Sequence, residues 1–569
     1  MILNTLETLF RPILEKYTDH PEKFFGMITR CNDPKFGDYQ ANFAMGLAKS
    51  LGKKPRDVAA ELRDAVMENA VAREMFEKID IAGPGFLNLT FSETWLKKML
   101  LTAAADGRLG IPMAEKPQTI VLDYSSPNVA KPMHVGHIRS TVIGNSLYRI
   151  LKFLGHRVIG DNHLGDWGTQ FGMILWGWKH FRDEAAFAEK PVEELTRLYR
   201  LARQKMDENE AIADECRRET EKLHSGDAEN RALWSRFMPF CLDEIDRVYR
   251  RLDVTFDETL GESFYNDRLP QVVEILQEKG LITESDGAKC VFLPGREAPM
   301  IVQKSDGAYL YATTDLATVM YRMEQFHPDA ILYIVDHRQS EHFEMFFETA
   351  RKLGYEQVDL RHVKFGTVLG EDRRPFKTRS GDTVGLEGLL DEAVERAKKI
   401  LVENGTETDV DETASRIGIA ALKYADLSQN RDSDYIFSYD KMLAMNGNTA
   451  TYMQYAYARV CSIFTKANDG KRPECGPIDW THPSERALAM ELLRFDDALA
   501  AVVKDYRPNF LSNYLYDLAN RYSVFFENCS VLRAESEEIR RSRLRLCDLT
   551  ARTLQKGLEL LGIQVVSRM

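Results

Sequence analysis

The eight cysteines of this 569-residue chain stand singly along the sequence, and no two of them make a CxxC or similar spacing. A disulfide framework and a cysteine-built zinc site are therefore not expected, and reduced thiols of a cytosolic chain are. No run of about 18 apolar residues occurs, so no transmembrane helix is expected. The opening "MILNTLETLFRPILEKYTDH" has acidic residues where a secretory leader would have a basic segment and an apolar one, so no leader is expected. Positive charge is in deficit, 75 Lys and Arg against 87 Asp and Glu. A net charge of −12 argues against a general nucleic-acid binder, although a local basic cluster could still serve a specific one.

What is present is ordinary globular material, and at about 100–200 residues per domain the length suggests several domains. Residues 1–110 read as a small α/β module: a helix from Tyr39 to Ser50, a second in "KKPRDVAAELRDAV", and a strand pair in "IDIAGPGFLNLTF". "AAADGRLGIPMAEKPQ" reads as a linker. Residues 111–404 alternate strand and helix. "TIVLDY" is a buried strand, and Val135, Ile138, Val142, Leu147, Leu151 and Leu154 recur at helical spacing up to Gly155. "HRVIGDN" is the next strand, so a βαβ nucleotide-binding half-sheet is expected. A charged, glycine-poor stretch from about 178 to 276 reads as a helical insertion. Beyond it come a hairpin at "MIVQKSDGAYLYAT" and a second βαβ unit, "DAILYIVD" to "RHVKFGTV". After the polar "ENGTETDVDET", residues 405–569 read as all helical, with Cys547, Ala551, Leu554, Leu558 and Leu561 on one face before Gly562.

The chemistry concentrates where the first strand gives way to its helix, in "SSPNVAKPMHVGHIRST". A helix N-terminus offers free N–H groups and partial positive charge, which suits phosphate. Gly136 removes a Cβ that would block an adenine ring. His134 and His137 can donate to phosphate oxygens as charge builds in a transition state. A capped helix with surface histidines is the plain alternative, and the preceding buried strand weighs against it.

"HVGH" in that position resembles the HIGH signature of class I aminoacyl-tRNA synthetases. The longer string, with "NHLGDWGTQFG" after it, is similar to the arginyl-tRNA synthetase family in particular. The likeness runs the whole length: the start resembles that family's tRNA-elbow domain, and "GNTATYMQYAYARVCSI" with "LELLGIQVVSRM" its helical anticodon-binding domain. The resemblance implies a Rossmann-type parallel-sheet catalytic domain with a helical insertion, a small α/β N-terminal domain and an all-α C-terminal domain. It further implies ATP as substrate with Mg²⁺, L-arginine and tRNA(Arg) as partners, a cytoplasmic monomer, no membrane and no zinc. It also implies that the first step needs bound tRNA.

The class's second signature, KMSKS, is missing. "GEDRRPFKTRSGDTVGL" stands in its place, with Ser380 where the second lysine belongs. The resemblance assigns the missing phosphate contact to Lys131, three residues before His134, with Lys377, Arg379 or Arg374 assisting. A guanidinium wants a carboxylate, and Asp315 in "YLYATTD" is the candidate, with Tyr311 a turn earlier. Asp315 could also be a helix N-cap. Gln339 lies past the next strand, where such sheets bind ligands. Ser126, Asn128 and His137 match the family's contacts to the α-amino and carboxylate end. For tRNA the candidates are Tyr39, Gln40 and Asn42 in the first domain and Asn448, Tyr452, Tyr455 and Arg459 in the last. Aromatics among polar residues suit base stacking, and "RRSRLRL", from Arg540 to Leu546, is expected to supply local positive charge. The rival readings are the zinc-bearing cysteine synthetase, which the unclustered cysteines disfavour, a small nucleotidyltransferase, which would lack the two extra domains, and a non-catalytic RNA-binding paralogue, which the intact Lys131, His134, His137 and Asp315 disfavour.

Overall fold

The computed structural model describes the chain except Met1, Asn32, Ala130 and residues 377–384 and 406–408. The first module is a four-stranded antiparallel sheet in the order Ile28–Arg30, Tyr39–Ala41, Phe86–Phe91, Phe76–Ala82. The expected helix from Tyr39 is instead a short strand followed by the helix Phe43–Leu51. Tyr39 and Ala41 are buried and Gln40 half-exposed, a period-two pattern too brief to outweigh the helical signal after it. The pair Phe76–Ala82 and Phe86–Phe91 is the hairpin the Pro-Gly turn predicted.

The central sheet has five parallel strands, ordered Asp359–His362, Ala330–Tyr333, Thr119–Asp123, Arg157–Leu164, Glu258–Gly261. Its middle strand is buried after Thr119, as strands covered on both faces are. Helices fill the stretch from Thr169 to Leu252, but Glu258–Gly261 within the supposed insertion is a sheet strand. Four residues in a charged, helix-rich stretch carry too little apolar signal to be read as a strand. The hairpin at "QKSDG" is real only as a turn, with Gly307 N–H donating to Lys304 O and a single bridge from Gln303 to Tyr309. The strand Met300–Gln303 pairs mainly with Ala288–Val291 in a separate three-stranded sheet. "RHVKFGTV" is likewise split: Asp359–His362 joins the sheet, while Val368–Leu369 pairs with Tyr435–Ile436.

A buried charge cluster fixes the sheet to the helix Tyr311–Phe326. Arg322 donates from Nε to Asp161 Oδ2 at 3.0 Å and from Nη2 to Asp123 Oδ2 at 2.6 Å. Both carboxylates belong to sheet strands, so this helix cannot shift without leaving a buried charge unpaired. After Asn509 two long helices, Asn509–Asn528 and Glu537–Leu560, dominate the C-terminal bundle. The predicted stripe from Cys547 to Leu561 is buried, and Gly562 ends it at φ +70°.

Candidate active site

The helix Val135–Phe153 begins with a reciprocal cap built from both histidines. His134 Nδ1 accepts the Gly136 N–H at 3.1 Å, and His137 Nδ1 accepts the His134 N–H at 3.0 Å. The rings stack with centroids 3.9 Å apart. Since each Nδ1 accepts, each ring carries its proton on Nε2 and is a donor there. Burial, helped by the charge on Lys131, lowers the pKa of His134. It pushes His137 down to about 3, with His134 and Lys131 adding. Gly136 has a second role here: a Cβ on it would lie 2.9 Å from the His134 ring.

The turn before this helix is strained and heavily tied down. Ser125 and Ser126 have φ of +71° and +45°, conformations costing a non-glycine residue of order 1–3 kcal/mol. Ser125 N–H donates to Ser140 Oγ at 2.8 Å, and its hydroxyl meets Thr141 Oγ1 and the Tyr249 hydroxyl. Ser126 donates to Asp123 Oδ1 at 2.9 Å. These bonds hold the chain open beside a cavity of about 610 Å³.

Ser126, Asn128, His134, Gly136, His137, Tyr311, Asp315 and Gln339 all line that one cavity. Asn128 Oδ1 is buried in its wall without a hydrogen-bond partner among the described residues, an orphaned acceptor. The helix of Asp315 is capped at Leu310 with no side-chain bond, so Asp315 is not a cap. Its Oδ2 instead meets His342 Nε2 at 2.6 Å. Lys131 lies outside the cavity wall, its Nζ 4.6 Å from the centre of the Tyr199 ring. Lys377 and Arg379 fall outside the described residues. The segments on either side of them are anchored: Phe376 packs on Phe437 at 4.9 Å, and Leu386 N–H donates to Met133 O at 2.9 Å. His134 also bridges to Gly385, so the chain beyond the KTRSG segment returns to the HVGH turn.

Sequence reasoning missed Glu262, His163 and His342, which line the same cavity. Burial pushes the Glu262 carboxyl up to about 7; Asp166 and Asp315 push the same way, against His163. The strand Glu258–Gly261, which ends directly before Glu262, delivers it to the cavity and left no readable trace in the sequence. Among the described residues no group of three or more His, Cys, Asp or Glu side chains could hold a metal ion.

The two proposed tRNA regions fare differently. Tyr39 is buried, with its hydroxyl donating to Asp497 Oδ2 at 3.3 Å, so its ring joins two domains and offers no face to RNA. Gln40 and Asn42 are half-buried in a polar row with Asn88. Asn448 accepts from the Tyr424 hydroxyl, and the Tyr452 hydroxyl donates to Asn520 Oδ1. Both are engaged inside the helical domain. Tyr455 and Arg459 line a cleft of about 860 Å³ with Lys466, Phe526, Arg533 and Arg568, and the Arg459 guanidinium lies over the Tyr455 and Phe526 rings. "RRSRLRL" does not supply the expected free charge. Arg543 is buried against Glu485, Arg540 and Arg541 pair with Glu537, and Arg545 donates to two carbonyls.

A profile of "tRNA synthetases class I (R), catalytic domain" matches residues 99–439. "Arginyl tRNA synthetase N terminal domain" matches 4–91, and "DALR anticodon binding domain" matches 453–569. The chain belongs to the arginyl-tRNA synthetase family. It is 45% identical to an arginine–tRNA ligase of Rhodopirellula baltica, covering 100% of this chain and 99% of that one. It is 48% identical to that of a Nostoc species over 95% of each. Among solved structures, the arginyl-tRNA synthetase of Plasmodium falciparum superposes with a TM-score of 0.83 at 31% identity, covering 100% and 99% of the two chains. That of Thermus thermophilus gives 0.83 at 25% identity, covering 100% of both. Within this family the HVGH turn, the sheet and the helical C-terminal region follow the expected architecture.

Proposed function

We propose the following division of labour for an arginine–tRNA ligase reaction: ATP activates L-arginine to arginyl-adenylate, and arginine then passes to the 3′ end of tRNA(Arg). Asp315 and Glu262 take the guanidinium, with Tyr311 beside its stem. Asn128, Ser126 and Gln339 hold the α-amino and carboxylate end. The observation that carries this reading is the pairing of two carboxylates, Asp315 and Glu262, in the same cavity as the HVGH turn. A guanidinium, a planar fork of donors, answers both carboxylates at once.

In the first step the arginine carboxylate oxygen bonds to the α-phosphorus as the bond to pyrophosphate breaks. No side-chain base is required, since the nucleophile is already ionised. Catalysis is positioning plus charge stabilisation. His134 and His137, neutral with Nε2–H donors, contribute hydrogen bonds that strengthen as the phosphate oxygens gain charge. Lys131, Lys377 and Arg379 supply positive charge to the phosphates. Mg²⁺ carried by the nucleotide would neutralise charge on the phosphates, and no step assigned to a side chain runs through it. Arginine then moves to the terminal adenosine, releasing AMP, while the cleft around Tyr455 and Arg459 takes anticodon bases by stacking and charge. The spent arginines of "RRSRLRL" make Arg459, Lys466, Arg533 and Arg568 the better cationic candidates. Eight free cysteines fit a reducing cytoplasm, and the family likeness supports a monomer, which sedimentation would check.

The test is Asp315→Asn, which keeps the shape and removes the charge. The arginine KM should rise by the equivalent of about 2–4 kcal/mol, with ATP binding little affected. An unchanged arginine KM would remove Asp315 from the arginine pocket.

A further inference from the structure

The guanidinium corner contains a residue to which the reaction gives no role. His342, on the helix Ser340–Lys352, places Nε2 2.6 Å from Asp315 Oδ2. Both side chains are mostly buried, at 28% and 24% exposure, and the His342 ring lies beside Phe343 and Phe346 of its own helix, with centroids 5.6 and 6.3 Å away. The bond engages one carboxylate oxygen and leaves the other for a ligand.

We propose that His342 is the positioning residue of the guanidinium corner: as an imidazolium it pairs with Asp315 before arginine binds, and it yields a proton when the guanidinium arrives. This rests on the arginine reading above. The balance is simple. The imidazolium loses the proton on Nδ1 to solvent and keeps Nε2–H, so the hydrogen bond to Oδ2 survives while the positive charge is handed to the guanidinium. The carboxylate keeps its orientation throughout.

The charges facing this corner favour that exchange. Asp315 and Tyr311 come from one helix, Glu262 opens the short helix Glu262–Tyr265, Tyr333 comes from the adjacent strand, His163 and Asp166 from the end of Arg157–Leu164 and beyond it, and Asp336 and Arg338, paired with each other, from the segment before His342's own helix. Burial alone would lower His342, but the hydrogen bond and charge of Asp315 raise it above its ordinary value. Glu262, held near 7, also ionises fully once a guanidinium faces it. The guanidinium bonds Asp315 directly and competes with the imidazolium for that carboxylate, which favours loss of the His342 proton, while the charge that Glu262 gains pulls the other way and limits the total released. Arginine should accordingly bind more tightly as pH rises through neutrality, by about tenfold between pH 6 and 8 from Glu262 alone, which titrates at about 7 in the free enzyme and far lower in the complex.

Isothermal titration of the full-length enzyme with L-arginine, in buffers of different ionisation heat near pH 7, reads the proton count directly. Wild type should release protons. His342→Gln, which keeps an N–H for Oδ2 but cannot titrate, should bind arginine with about half that release or less. His342→Ala should raise the arginine KM more than it lowers kcat, and Gln should restore the KM. Arginine binding with no proton release, or equal release by wild type and His342→Gln, overturns the proposal and leaves the arginine pocket standing. No arginine binding at any pH overturns the arginine reading itself.

Discussion

Arg139, two residues past His137 on the same helix, places its Nε 3.0 Å from Asp426 Oδ2, with both side chains essentially excluded from solvent. Its Nη1 donates to Ser433 O at 3.0 Å and its Nη2 to Arg431 O at 3.3 Å. Asp426 lies in the last turn of the helix Val410–Leu427, so this one side chain ties the HVGH helix to the segment leading into the helical bundle.

Removing either partner strands the other charge in the interior. Asp426→Ala should cost about 3–5 kcal/mol, read as a lower urea midpoint of the first unfolding transition. Arg139→Met should cost a similar amount. The combined variant Arg139→Met with Asp426→Ala should lose clearly less than the sum of the two, because neither charge is then stranded, although the Ser433 and Arg431 carbonyls still lose their donor. Strictly additive losses would show that the two residues act independently.

Acid should destabilise the protein partly through His137. Unfolded, this imidazole takes up a proton near its ordinary pKa of about 6.5; folded, it stays neutral down to about 3. Below pH 6.5 the unfolded chain therefore binds a proton that the folded chain refuses. Stability from this group falls by about 1.4 kcal/mol per pH unit until the folded form titrates. His137→Asn keeps an acceptor for the His134 N–H and removes the titration. The drop in urea midpoint between pH 7 and pH 5 should be smaller in that variant than in wild type.

The site was legible wherever its chemistry is local in sequence. His134, Gly136 and His137 lie within four consecutive residues, and the buried strand before them is a plain apolar run, so the turn and its orientation could be read directly. Asp315 and Gln339 could be brought to the same cavity from sequence because each follows a recognisable strand or helix signal. Glu262 was not legible, since the strand that delivers it exists only through pairing with Asp161–Leu164, about a hundred residues upstream. Tyr39 misled for the opposite reason. Its three-residue strand is masked by the helix after it, and the partner that buries it, Asp497, lies at the far end of the chain. The arginines of "RRSRLRL" show that charge written in one run can be consumed by acids and carbonyls brought in by folding.

Lys131 is the next test of the missing second loop lysine. Its Nζ rests over the Tyr199 ring on the insertion helix Pro191–Glu208, a contact worth only about 0.5–2 kcal/mol. An ATP phosphate is a stronger attractor, so the side chain can swing to it. Lys131→Ala should depress adenylate formation strongly and leave arginine binding nearly intact, because the charge acts on phosphates in the transition state. Tyr199→Leu should cost much less. If Lys377→Ala is crippling while Lys131→Ala is silent, the phosphate contact belongs to the loop after all.

The first step should depend on tRNA, and the contacts around Arg431 give a physical route for it. Arg431 Nε donates to Tyr506 O at 3.0 Å and Nη2 to Asp505 O at 3.1 Å, at the end of the helix Phe495–Asp505 in the C-terminal bundle. Its Nη1 reaches Lys364 O, just after a central strand. Its own carbonyl receives Arg139, so bundle, sheet and HVGH helix meet at one residue. Burial lowers the pKa of this guanidinium, yet it stays charged at any working pH. The neighbouring pair Tyr435–Ile436 with Val368–Leu369 and the packing of Phe437 on Phe376 carry the same segment to the edge of the KTRSG residues. Binding of tRNA at the bundle can thus favour one arrangement of the catalytic turn over another, provided it binds that arrangement more tightly. ATP–pyrophosphate exchange should be near background with arginine and ATP alone and should appear with cognate tRNA. Arg431→Gln should reduce the stimulation by tRNA several-fold more than it weakens tRNA binding, about 1–2 kcal/mol of lost coupling. Strong exchange without tRNA would refute the dependence, and equal stimulation of wild type and Arg431→Gln would remove this residue from the route while leaving the dependence intact.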